Sequence, residues 1–169
     1  ERALLRETGG GIKHAAHLLK SDHFLVHNVD IISNLDLSLF EEKYLETEKD
    51  HNDSERPLLA TILVSERKTT RFFLFDSCNN LVGWTNIATG EVRSPFPGLD
   101  PGKCRKLAFA GIHNISKRVF PLMEKWPERF SIVDFYIGNC DKYMIKGIEI
   151  PGLSIRDVGK ISDLKQLNC

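Results

Sequence analysis

The spacing of apolar positions changes several times along the chain, and each change marks an element. Ile12, Ala15, Ala16 and Leu19 fall at helical intervals, predicting a helix that starts at Gly9-Gly10-Gly11 and ends at the turn Lys20-Ser21-Asp22. The stretch before it, ERALLR, reads as a strand end or a loop. FLVHNVDII (24–32) is a short apolar run with β-branched residues and predicts a buried strand with Asp30 at its C-terminal end. Helical spacing returns over 36–50, with Leu37, Phe40 and Tyr44 on one face and Asp36 as the N-cap. HNDSERP after it reads as a solvated loop.

The middle of the chain reads differently. LLATILVSE (58–66), TRFFLFD (70–76) and LVGWTN (81–86) predict successive strands, the last two joined by a turn at Cys78-Asn79-Asn80. Residues 90–104 hold three prolines and three glycines and predict a long loop. KLAFAGIHNI (106–115) predicts another strand. SKRVFPLMEKW (116–126) predicts a helix capped by Ser116, with Val119, Phe120, Met123 and Trp126 on one face; Pro121 limits where it begins. SIVDFYIGNCDKY (131–143) suits a short helix, and MIKGIEI and LSIRDVG suit two strands. VGKISDLKQLN predicts a closing helix, its apolar residues Val158, Ile161, Leu164 and Leu167 spaced by three. Helices and strands alternate at both ends around a strand cluster. The expected fold is α/β, three-layered with a mixed sheet, formed by 1–169 as one domain.

Composition narrows the function classes. The 169 residues are 41% apolar, enough for one domain with a real core. Lys plus Arg equals Asp plus Glu at 23 each, so the chain lacks the surplus positive charge of a general nucleic-acid binder. A small phosphorylated ligand needs only a local site and stays open. No apolar run reaches the length of a membrane span, and no signal peptide is visible. The four cysteines, at 78, 104, 140 and 169, form no CxxC pair, so reduced thiols in a cytosol are expected. Nothing in the sequence indicates an oligomeric state.

In open α/β sheets ligands bind beyond the carboxyl ends of strands. Three places satisfy that rule. Thr8-Gly9-Gly10-Gly11 stands at a helix start, where bare backbone N–H groups and the helix dipole favour an anion; it also reads as a simple helix-leading turn. Asp30 in HNVD offers a strand-end carboxylate to a hard cation such as Mg²⁺, or caps the next turn. Asp157 in IRDVG has the same two readings. The six histidines show no metal-binding spacing, and no GxSxG elbow surrounds Ser65, Ser77 or Cys140. Trp84 and Trp126 read as core, with Trp84 beside Gly83 the one able to line a pocket.

Taken in order, LRETGGGIKHAAHLL, FLVHNVDI, KLAFAGIHNI, SIVDFY and IRDVGK resemble the sugar-1-phosphate nucleotidyltransferases. The similarity is to the branch holding N-acetylmuramate 1-phosphate uridylyltransferase and mannose-1-phosphate guanylyltransferase-like proteins. ETGGGI is its most specific segment, and 45–105 matches only in outline. The resemblance implies the Rossmann-like nucleotide-diphospho-sugar transferase fold, with an NTP and a sugar 1-phosphate as substrates and Mg²⁺ as cofactor. It implies that Thr8, Gly9 and Gly10 pack against base and ribose, that Asp30 and Asp157 bind the metal, and that Gly111 and Asp134 lie near the sugar.

Two departures from the family pattern shape the expectation. Val29 stands where the family has glycine, so crowding of the nucleotide is expected there. The family's phosphate-binding loop of the GxGxR kind, with its PKP segment, precedes the part that Glu1 begins, so 1–169 alone is expected to be inactive. Two alternatives remain: a non-catalytic binding module of the same fold, and a choline-phosphate cytidylyltransferase-like enzyme using Trp84 and Phe96 around a quaternary amine.

Overall fold

The computed structural model describes residues 5–51 and 54–158. Residues 1–4 of the first stretch and 159–168 of the expected closing helix lie outside the described residues, as do Asn52 and Asp53 of the HNDSERP loop. In chain order the elements are α1 (Glu7–Ala15), β1 (His23–His27), β2 (Ile31–Ser33), α2 (Leu37–Asp50), β3 (Leu58–Ser65), β4 (Arg71–Phe75), β5 (Leu81–Asn86), β6 (Glu91–Arg93), β7 (Arg105–Ser116), α3 (Val119–Met123), α4 (Ile132–Ile137), β8 (Met144–Ile148) and β9 (Ile155–Asp157). A 3-10 turn covers Pro101–Lys103.

One mixed sheet runs β6-β5-β4-β7-β3-β8, with β1 paired to β7 beside it; β2 and β9 form a separate two-stranded sheet. β3 pairs antiparallel with β7 and parallel with β8. β3 lies between β7 and β8 and is buried on both faces, as its continuous apolar run requires. Ala60, Ile62 and Val64 face a core shared with Ile12 of α1, Val119 and Met123 of α3, and Phe135 and Tyr136 of α4. Leu63 faces the other way, onto Phe40 of α2, with Ala110, Ile112 and Ile31. Helices therefore cover both faces of the sheet, the three-layer α/β arrangement that the alternation of elements predicts.

Local chemistry sets the element ends. Asp36 caps α2 by accepting from the amides of Ser38 and Leu39, and Phe40 and Tyr44 are fully buried, whereas Leu37 is exposed. Ser131 caps α4 through the amide of Val133. Ser116 ends β7 instead of opening a long helix, although its Oγ accepts from the amide of Arg118. α3 is correspondingly a single short turn, Val119–Met123. Within the loop expected over 90–104, Glu91–Arg93 pairs with β5 as a third strand of the hairpin. Cys140 is buried, and that burial pushes its thiol up to about 12, outside the reactive range. No helix among the described residues is long and apolar enough to cross a membrane.

Candidate functional site

The run 24–32 does not form one strand. It breaks after His27 into a turn at Asn28-Val29-Asp30, closed by the amide of Ile31 donating to the carbonyl of Asn28 at 3.2 Å. Asp30 therefore lies in a turn between two strands. β2 then pairs with β9, Ile31 opposite Asp157 and Ser33 opposite Ile155. On the next rung the amide of Val158 donates to the carbonyl of Asp30 at 2.8 Å. Asn34 fastens the far end, donating to the carbonyl of Gly152 at 3.0 Å and accepting from the amide of Ser154 at 2.7 Å. Backbone pairing thus sets the two aspartates on neighbouring rungs, although they come from opposite ends of the chain.

Two carboxylates on adjacent strands suit Mg²⁺, which accepts few protein oxygens and fills its shell with phosphate and water. Among the described residues no group of three or more His, Cys, Asp or Glu side chains could cage a metal alone. A cation held by Asp30 and Asp157 would take its remaining ligands from elsewhere.

Gly111 lies against the same turn. Its carbonyl accepts the amide of Asn28 at 2.9 Å. Its φ is +76°, and a Cβ there would stand 2.8 Å from Nδ2 of Asn28. Only glycine meets both conditions without strain. Here β7 changes partners: β1 ends opposite Ile112, β3 leaves at Ala108, and β4 takes over at Leu107. Val29 is fully exposed at the tip of the turn, so its side chain projects away from the core at the place where the resemblance expects the nucleotide to be crowded.

The three glycines do not precede a helix; they are inside α1, which begins at Glu7. A Cβ on Gly9 would stand 2.4 Å from the ring of Phe130, and one on Gly10 would stand 2.2 Å from the carbonyl of Glu128. The segment 128–130 lies directly on the helix backbone, and two hydrogen bonds join them: Gly10 N–H to Phe130 O, and Phe130 N–H to Arg6 O, each 3.3 Å. Gly9 and Gly10 are thus closed off by this contact. Thr8 and Gly11 face an apolar groove shared with Ile12, Phe24 and Val26.

Asp134 accepts a hydrogen bond from Arg93, whose guanidinium stacks 4.0 Å over the ring of Trp84. This places Asp134 on the wall of a cavity of about 410 Å³ lined by Arg71, Trp84, Arg93 and Val133. A second cavity of about 280 Å³ shares Arg71, Trp84 and Val133 and adds Arg67, Phe73 and Phe109. Arg67 donates to the carbonyl of Phe109 at 3.0 Å, two residues before Gly111. The sequence reading missed Arg67 and Arg71. An arginine in a polar loop and one at the start of a strand resemble a solvated surface, and only the ring of Trp84 beside Gly83 hinted at a pocket. Trp84 lines both of these cavities, whereas Phe96 lines neither and packs under Arg56.

Behind this region His113 is fully buried. Its Nδ1 shares a hydrogen bond of 2.6 Å with the Tyr136 hydroxyl, and its Nε2 has no partner. Burial lowers the imidazole to about 3, so it is neutral and supports the ring of Phe109, 5.3 Å away edge-on. A larger cavity, about 550 Å³, lies at the opposite end of β1. Its charges already face one another, Lys117 with Asp22 and Arg118 with Glu48.

No family model matches the chain, and no curated protein does. Solved structures do. HddC from Yersinia pseudotuberculosis complexed with GMP-PN is 19% identical with a TM-score of 0.63, over 97% of this chain and 62% of that one. A putative glucose-1-phosphate thymidylyltransferase from Bacillus anthracis, in complex with a sucrose, is 14% identical with a TM-score of 0.68, over 96% and 60%. The inositol-1-phosphate CTP transferase from T. maritima is 13% identical with a TM-score of 0.60, over 93% and 57%. The chain has the fold of these nucleotidyltransferases and spans about 60% of their length.

Proposed function

We propose that this chain is part of an enzyme that transfers a nucleotidyl group from an NTP to a sugar 1-phosphate, releasing pyrophosphate. The observation that supports the reading is the β2–β9 pairing, which sets the backbones of Asp30 and Asp157 on adjacent rungs just past the carboxyl end of β1. Similarity of fold to solved nucleotidyltransferases supports it.

In this reaction an oxygen of the acceptor phosphate attacks the α-phosphorus of the NTP. The new P–O bond forms as the bond to the β-phosphate breaks, and pyrophosphate leaves with the electron pair. No covalent enzyme intermediate is required, so catalysis is positioning and charge neutralisation. Asp30 and Asp157 would hold Mg²⁺, which supplies positive charge against the phosphates when bound. Thr8, on the open face of α1, would meet base and ribose; Gly9 and Gly10 let the helix seat closely enough to present it. Gly111 leaves the acceptor room beside the Asn28 turn. Asp134 acts through Arg93 on the wall of the acceptor cavity.

The test uses the full-length polypeptide that carries this chain. Each NTP with Mg²⁺ is paired with a panel of sugar 1-phosphates, and melting temperature and pyrophosphate release are read. One cognate pair should raise the melting temperature by mass action and release pyrophosphate. No shift and no pyrophosphate with any pair would sink the reading.

A further inference from the structure

We infer that the acceptor carries a second negatively charged group, a carboxylate or an additional phosphate, held by Arg67 and Arg71 in the cavity beside Gly111. The inference rests on the nucleotidyl-transfer reading for calling the ligand an acceptor; the anion-binding character of the cavity rests on the residues themselves.

Arg67 and Arg71 line one cavity together with Phe73, Trp84 and Phe109. Neither arginine has a carboxylate partner among the described residues. Arg67 spends one nitrogen on the carbonyl of Phe109, and its Nε is buried with no hydrogen-bond partner. Arg6, Arg93, Arg105, Arg118 and Arg129 each face a carboxylate; Arg56, like Arg67, spends a nitrogen on a backbone carbonyl, but it packs on Phe96 and does not line this cavity. Arginine presents a rigid fork of donors that matches carboxylate or phosphate oxygens. Two uncompensated forks against aromatic walls form a site for an anion on a ring, with apolar surface for the ring and donors for the charge.

The position separates this anion from the reacting phosphate. The reacting phosphate belongs beside Asp30 and Asp157, past the Asn28–Gly111 contact. Arg71 opens β4 and lines both cavities, next to Trp84 and Val133. The cavity is also kept in shape independently of any ligand, because Asp134 holds Arg93 over Trp84.

Calorimetry on the full-length protein tests this with three probes: glucose 1-phosphate, glucuronic acid 1-phosphate and glucose 1,6-bisphosphate. At least one doubly anionic probe should bind about tenfold tighter than glucose 1-phosphate, as one added charge-assisted contact allows. Whichever probe does so identifies the second group as carboxylate or phosphate. Arg71→Gln should shrink that ratio to about twofold, and Arg71→Lys should restore part of it. Arg71 is exposed, so its variants test the idea even where Arg67→Gln fails to fold. Equal affinity for all three probes, no binding of any, or a preference that survives Arg71→Gln would overturn it. Pyrophosphate release is read in parallel. Doubly anionic preference without release sinks only the transfer reaction; release that is indifferent to the second charge sinks only the acceptor inference.

Discussion

The amide of Val158 donates to the carbonyl of Asp30 at 2.8 Å, one rung beyond the pairing of Ile31 with Asp157. This contact joins the first fifth of the chain to the last described strand and sets the backbones of two aspartates on adjacent rungs.

Asp30→Asn and Asp157→Asn follow directly. Each should lower Mg²⁺-dependent kcat/KM of the full-length enzyme at least about a hundredfold while leaving the unfolding midpoint nearly unchanged. Steady-state kinetics and chemical denaturation check both. Lost stability with turnover intact at Asp157→Asn would show that this carboxylate serves the fold instead.

Gly111→Ala should destabilise by about 1–3 kcal/mol, from the left-handed backbone and the crowding against Asn28 together. Asn28→Ala on that background should recover the crowding part and leave the backbone part. Urea denaturation of the two variants separates them; full recovery would show that the φ of +76° costs nothing.

Gly10→Ala tests the seat of α1. Alanine favours a helix interior by about 1 kcal/mol, so an open face would be stabilised. Here the added carbon meets the backbone carbonyl of Glu128 at 2.2 Å, and the helix has to lift. The expected net loss is about 1–2 kcal/mol, read by thermal or chemical unfolding, and a gain would contradict the packing.

His113 predicts a pH dependence with a definite sign. Burial lowers its folded value from 6.5 to about 3. Above 6.5 neither state is protonated and nothing is lost. As pH falls from about 6.5 to about 3, the unfolded chain takes a proton that the folded chain refuses. Stability then falls by up to about 1.4 kcal/mol per pH unit from this group. The double variant His113→Phe with Tyr136→Phe removes the pair without orphaning either partner and should flatten the profile between pH 6.5 and 4. An unchanged slope would assign the acid sensitivity to other groups.

Asp134→Asn separates positioning from stability. The ion pair with Arg93 is half-exposed, so the stability change should stay within about 1 kcal/mol. Loss of the cation over Trp84 should change tryptophan fluorescence and raise the acceptor KM more than it lowers kcat. Unchanged fluorescence would mean that Arg93 holds its place without the carboxylate.

Much of the frame was legible because it depends on local pattern. The apolar run at 58–66 reads as a strand, and Asp36 before an apolar helical pattern reads as a cap; both are what the structure has. The turn at Asn28–Asp30 was hidden inside an apolar run, since Val29 and Ile31 look alike in sequence while one is fully exposed and the other buried. β6 escaped because three residues among prolines and glycines gain their order only from β5. The glycines of α1 showed a need for close approach, but not whether a ligand or Phe130 would be what approached. Arg67 and Arg71 gave no signal, since only the tertiary structure shows that they line one cavity and that neither forms an ion pair among the described residues.

Three bare positions in a row also have a mechanical side. A helix with a single glycine has one way to sit on a crossing chain. In α1, a turn of one residue about the axis would bring Gly10 and Gly11 under 128–130, where Gly9 and Gly10 now lie, with no side chain to jam against Phe130. The glycines grant contact but do not index it. Indexing comes from the flanks: Ile12 must stay in the core, Arg6 and Lys13 both grip Glu128, and Arg129 holds Glu7. The angular setting of Thr8 toward the groove is therefore fixed in part by Arg6, Lys13, Glu128 and Arg129, none of which lines the groove, and salt or charge reversal at Glu128 would loosen it.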